Sequence, residues 1–260
     1  MISRWHIRIG LYLFLLMGSV PAGAQIVNIE KKRIPTDTSG WFGSVEFNFA
    51  GSKTTKSALS LFAGGTLEYK AHNDKDFWLF DTRYNLVSGD QEKFSNTGYG
   101  YLLYNRKFAP NSPFRFEAFS MVQYNDLTKV AARANWGAGI RIKLTPETYK
   151  HAKFYFGAAY LYEYEELTEP HDYTNEQRVS SYFTFTLTPE EDVSFISTTY
   201  VQPKITDMGD YRFSNETTLS LGITKKLVLN TTFSYNFDKV PPIGVPNSTY
   251  YFLNGLEINF

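Results

Sequence analysis

Cysteine is absent from this chain. That excludes a disulfide framework and any thiolate metal site. Histidine is scarce, with 4 in 260 residues. Past the first segment, His72, His151 and His171 remain, all in expected turns or loops. None has a second histidine at helical or strand spacing, so no histidine metal centre is expected. None stands on a strand beside a serine with a third group to hold it, as a Ser–His nucleophile requires. The expected catalytic, cofactor-binding and metal residues are therefore none, and no cofactor is expected. A charge excess is missing too, since Lys+Arg and Asp+Glu are both 26. Without a basic patch, nucleic acid is not an expected partner. Glycine-rich phosphate loops are also lacking. Gly98-Tyr99-Gly100 and Gly137-Ala138-Gly139 fall inside strand patterns, where glycine marks a bend or a close backbone approach. Beyond residue 20 no apolar run approaches the ~20 residues that a membrane helix needs.

Aromatics, by contrast, are abundant. The chain has 22 Phe, 19 Tyr and 4 Trp, 17% of all residues. Its start carries Arg4 and Arg8, an apolar run over Ile9–Val20, and Ala22-Gly23-Ala24 before Gln25. That order predicts a secretory signal peptide over 1–24. Residues 25–40 are polar and irregular and are expected to be a periplasmic lead-in, with the basic triplet Lys31-Lys32-Arg33 solvated. The last segment puts Tyr250, Phe252, Leu256, Ile258 and Phe260 on one side of an extended strand. Gly255, Ile258 and the terminal Phe260 have the spacing of the assembly signal that ends outer-membrane barrels.

Alternation runs through the chain from Trp41, in about twelve strand-like segments parted by turn residues. Ala132, Ala134, Trp136, Ala138, Ile140, Ile142 and Leu144 oppose Arg133, Asn135, Gly137, Gly139, Arg141 and Lys143. Phe154, Phe156, Ala158, Tyr160 and Tyr162 oppose Tyr155, Gly157, Glu163 and Glu165. Leu227, Leu229, Phe233, Tyr235 and Phe237 oppose Asn230, Thr232, Ser234, Asn236 and Asp238. Such length with period two fits tilted strands crossing a bilayer. Asn96–Phe108 and Asp192–Ile205 assign to neither face. Lipid offers no hydrogen bonds, so the sheet must close. The predicted fold is all-β, an antiparallel up-and-down transmembrane barrel over 41–260. Longer outer loops are expected at Gly89–Asn96, Glu166–Glu176, Pro203–Tyr211 and Lys239–Ser248, and girdle aromatics at Trp41, Trp78, Tyr124, Tyr164 and Tyr250.

Charges stand at the inward positions: Asp81, Arg83, Arg115, Glu117, Arg133, Arg141, Lys143, Glu163, Arg178, Glu216 and Glu257. They form either a salt-bridge network that stiffens a small barrel or a polar conduit whose balance sets selectivity. Comparable numbers of both signs favour the network. Phe62, Phe119, Tyr155, Tyr182 and Tyr251 add bulk on the same side.

The stretch Phe114-Arg115-Phe116-Glu117-Ala118-Phe119, with Gln123-Tyr124-Asn125, Arg133 and Gly137-Ala138-Gly139-Ile140-Arg141, resembles the central signature of the salt-induced outer-membrane proteins, a domain of unknown function. Val27-Asn28-Ile29-Glu30 and Thr36-Asp37-Thr38-Ser39-Gly40-Trp41 resemble members from the Bacteroidetes lineage. The resemblance implies an outer-membrane barrel linked to salt or osmotic stress, and no reaction. The expected protein is a monomeric envelope barrel of a Gram-negative outer membrane, not an enzyme, structural or weakly permeable to small solutes. Its partners are membrane lipid and, during biogenesis, the barrel assembly machinery. The alternatives are a lipid-acting barrel enzyme and a barrel that binds a surface ligand.

Overall fold

The structure, a computed structural model, describes residues 26–33, 38–53, 57–73, 75–89, 92–146, 148–149 and 151–259. The expected signal peptide and Phe260 lie outside them. Twelve strands follow one another: β1 Gly40–Lys53, β2 Ser57–Lys70, β3 Asp76–Gly89, β4 Glu92–Lys107, β5 Phe114–Asn125, β6 Val130–Lys143, β7 Ala152–Leu167, β8 Tyr173–Glu190, β9 Val193–Lys204, β10 Asp207–Gly222, β11 Leu227–Asp238 and β12 Ser248–Asn259. Each pairs antiparallel with its neighbours, and β1 meets β12 to close the barrel. Ser44, Val45 and Glu46 pair there with Asn259, Ile258 and Glu257. The closed antiparallel barrel predicted from the sequence is thus the observed fold.

The pleat explains which side each residue takes. Trp136 and Ile140 on β6 are exposed outward, while Arg133, Asn135 and Arg141, of the opposite parity on the same strand, are buried inward. Outward aromatics pair across strands, Trp41 with Tyr69 and Trp78 with Tyr104. Trp41 is 67% exposed and Phe47 63%. A continuous apolar belt of that kind is a liability in water, and a bilayer removes it.

Two glycines serve the lumen. Phe119 on β5 lies directly across from Gly137, and Tyr182 on β8 directly across from Gly157. Each ring occupies the place where a Cβ on its glycine would stand. Glycine is needed there so that a large ring can fold over the neighbouring backbone.

The expected outer loops are corrected. Strands continue through most of 89–96, 166–176 and 203–211: β3 runs to Gly89 and β4 starts at Glu92, and the other two connections shrink to 168–172 and 205–206. Only the β11–β12 connection, 239–247, stays long. Polar side chains drew these stretches as loops, but ladder bonds depend on the backbone and form equally between polar residues. The barrel therefore has a terminal end, where β1 starts and β12 finishes, and a far end with extended strand pairs.

Candidate functional site

The lumen holds a segment that is not part of the wall. Residues 26–33 lie inside the barrel, with Ile26, Val27, Ile29, Glu30 and Lys32 all buried. Their conformation is local chemistry. The Glu30 N–H donates to Asn28 Oδ1 at 3.0 Å, and a 3₁₀ turn follows over Glu30–Lys32. The expectation of a solvated basic triplet is corrected for Lys32 and Arg33. Lys32 Nζ donates to Glu46 on β1 at 2.7 Å. Arg33 bridges its own segment and the wall, 3.0 Å from Glu30 and 2.7 Å from Glu117.

One side of this plug is apolar. Val27 and Ile29 pack among Phe77, Leu79, Tyr101, Leu103 and Met121, with Tyr99 and Phe119 at the margin. Burying each aliphatic side chain contributes about 1.5–3 kcal/mol. Ordering each backbone residue costs about 1–2 kcal/mol. The three buried aliphatic side chains, Ile26, Val27 and Ile29, do not alone hold the segment, so its polar contacts decide. Glu30 pairs with Arg141 on β6, which also donates to the Tyr182 hydroxyl at 3.0 Å. Tyr182 in turn donates to Glu117 at 2.7 Å, and Asn105 Nδ2 donates to the same carboxylate at 2.8 Å. Burial pushes the Glu30 carboxyl up, yet Arg141 and Arg33 outweigh it and hold it below the ordinary carboxylate range. On the other flank Asn28 Nδ2 donates to Glu216, which also accepts from the Tyr251 hydroxyl.

A second cluster lies toward the far end and belongs wholly to the wall. Glu163 accepts two bonds from Arg212 Nη1, at 2.6 and 2.7 Å. Arg133 and Arg178 stand 3.6 and 3.9 Å from it. Arg212 also donates to Asp238 at 3.0 Å, Arg133 pairs with Glu165, and Arg178 with Asp210 at 3.3 Å. Val245, in the 239–247 connection, is buried at that mouth.

Of the inward charges read from the sequence, the plug gathers Glu117, Arg141 and Glu216, and the far cluster gathers Arg133, Glu163 and Arg178. Asp81 accepts from Thr66 and Tyr99, while Arg83 lies over the Phe62 ring and 3.9 Å from Glu46. Glu257 accepts from Asn230 at 2.9 Å. Arg115 lines a cavity at the terminal end, and Lys143 closes β6 on that side. Gly255 and Ile258 lie on β12, Ile258 outward and paired with Val45. Sequence reasoning missed Glu30, Lys32, Arg33, Glu46 and Arg212. Arg212 shares parity with Glu216, but it directly follows the stretch 203–211 expected to be a loop, where the alternation has no earlier strand residues to anchor it.

Two spaces flank the plug. A small void of about 50 Å³ lies among Ile26, Val27, Tyr101, Glu117 and Gln202. A cavity of about 1220 Å³ lies on the terminal side, bordered by Glu30, Arg33, Arg115, Arg141 and Tyr155 and by turn residues such as Asn111 and Lys225.

Among the described residues, no histidine bonds both a serine and a carboxylate. His72 Nδ1 lies 2.7 Å from Ser39 Oγ, an exposed contact, and among the described residues no carboxylate bonds its other nitrogen. Nor do three metal-ligating side chains meet among the described residues.

Among solved structures, the NanC porin in a rhombohedral crystal form aligns with TM-score 0.51 at 13% identity, over 84% of this chain and 98% of that one. The KdgM porin aligns with TM-score 0.46 at 12% identity, over 85% and 99%. The translocator domain of the autotransporter NalP from Neisseria meningitidis aligns with TM-score 0.44 at 7% identity, over 86% and 90%. The likeness to the NanC porin concerns the barrel fold alone. No curated protein matches the chain. The expected salt-induced, Bacteroidetes-type family is met at a coarser level, by a model covering the barrel from β1 onward and carrying neither label. On that match over residues 44–260, the chain belongs to the family described as a protein of unknown function, DUF481.

Proposed function

We propose that this protein is a non-catalytic barrel of the outer membrane, occluded by its own N-terminal segment and weakly permeable to small solutes. The terminal end faces the periplasm. The chain works as a monomer in lipid, and the assembly machinery reads the last strand through Gly255, Ile258 and Phe260. One observation carries this reading: residues 26–33 occupy the lumen and pair there with the wall. A wall of 12 strands stands between the ~8 that side chains fill and the ~16–18 that leave an aqueous channel. What occupies the lumen therefore decides whether it conducts. The link to salt or osmotic stress is part of the proposal, and its physical basis is that ion pairs hold the occluding segment.

Planar-bilayer recordings test it. The full-length refolded protein is expected to give low, intermittent conductance. Deleting residues 26–33 should give a larger and steadier one. A steady porin-like conductance in the unmodified protein, or no change on deletion, overturns the occlusion.

A further inference from the structure

On the terminal side of the plug the wall carries two like charges face to face. Arg115 on β5 and Arg141 on β6 are direct cross-strand partners. Like charges in that relation destabilise a sheet. The carboxylate paired with Arg141 is Glu30, which comes from the plug and not from the wall. Arg115 Nε is buried and finds no hydrogen-bond partner among the described residues. Arg33 adds a third guanidinium, shared between Glu30 and Glu117. Three guanidiniums thus meet two carboxylates, which leaves one positive charge over. Arg115 is half-buried, and a buried donor such as its Nε is costly to leave without a partner, so the arrangement favours one more anion.

Space and shape are available for it. Arg115, Arg141, Arg33 and Glu30 all border the cavity of about 1220 Å³. Arg141 lies over the Tyr155 ring at 3.9 Å, a cation–π contact beside that space. A planar guanidinium presents paired N–H groups that match the two oxygens of a carboxylate.

We propose that Arg115 and Arg141 form a binding site for a small carboxylate-bearing solute that enters from the terminal end, and that Glu30 is the chain's own occupant of this site. The proposal deepens the occlusion reading and rests on it for the seat of Glu30. A free carboxylate competes with Glu30, so solute binding and plug release are coupled, and the coupling is reciprocal.

The test is calorimetric titration of glucuronate, inorganic phosphate and glucose into the full-length refolded protein in detergent micelles at fixed ionic strength. Glucuronate is expected to bind and glucose is not. Glu30→Gln removes the competitor and should bind glucuronate about tenfold more tightly, while Arg115→Gln should bind it at least about tenfold more weakly. Should Arg115→Gln fail to fold, Arg115→Lys keeps the charge, loses the fork and is expected to weaken binding as well. Glucose binding as well as glucuronate overturns the assignment, as does unchanged affinity in Glu30→Gln, and phosphate bound more tightly than glucuronate overturns the choice of a carboxylate. Conductance of the same preparations separates the two readings. Carboxylate binding by a steadily open barrel defeats the occlusion alone, and an occluded barrel that ignores carboxylates defeats the site alone.

Discussion

The two ion-pair clusters of the lumen differ in who supplies their members. In the far cluster every charge stands on a strand: Arg133, Glu163, Glu165, Arg178, Asp210, Arg212 and Asp238. In the plug cluster the pairs run between the wall and a short segment that belongs to no strand, through Glu30, Lys32 and Arg33. Opening the first means parting strands that are also joined by ladder bonds. Opening the second means moving residues 26–33, with the ladder left intact. The same chemistry therefore fastens strand to strand in one place and ties a segment outside the strands to the wall in the other.

The largest expected effect comes from Glu163→Ala. It leaves Arg133, Arg178 and Arg212 close together with their shared carboxylate gone, and removing one partner of a buried pair costs about 3–5 kcal/mol. Equilibrium urea unfolding of the bilayer-inserted barrel should show that loss, without a matching rise in conductance. A variant that conducts freely but unfolds like the wild type would break the comparison.

A smaller loss is expected for Arg33→Ala, about 1.5–3 kcal/mol for charge-assisted hydrogen bonds. Glu117 keeps Asn105 and Tyr182 in that variant. Here the conductance should rise, because the plug loses a tie to the wall. Equal unfolding losses in both variants, with equal conductance, would mean that the two clusters do one job.

Acid gives the smallest effect and sharpens the comparison further. The Glu30 carboxyl is held below its ordinary range in the folded protein. A lowered folded value means that its contribution is fully present above the unfolded value of about 4.3. It is lost as pH falls through the folded value. Conductance should therefore stay low from neutral pH to about pH 4 and rise only below that, judging from the ordinary carboxylate value. Glu30→Gln should abolish this acid step. A rise centred near pH 6 would point to histidine and count against the plug.

How much of this was legible depends on what each strand faces. β6, β7 and β11 alternate cleanly, because lipid lies on one side and charged or small polar groups on the other. β4 did not assign to a face. Its inward Tyr101 and Leu103 are apolar because Val27 and Ile29 pack on them, so both of its faces look alike in sequence. β9 carries Tyr200 buried inward and Val201 exposed outward, with the same ambiguity. The plug was read as a polar lead-in because its charges outnumber its aliphatic residues, and nothing local says that those charges have partners.

The amino-acid sequence by itself determined about twelve strands, the outward faces of those that alternate cleanly and the presence of charge within, because period-two alternation is a local property and lipid permits only a closed sheet. The tertiary structure alone decided which charges pair and what fills the lumen. Those contacts join residues far apart in the chain, Asn28 with Glu216 across 188 positions and Glu30 with Arg141 across 111. Barrel closure brings them together, and no short-range pattern encodes that meeting.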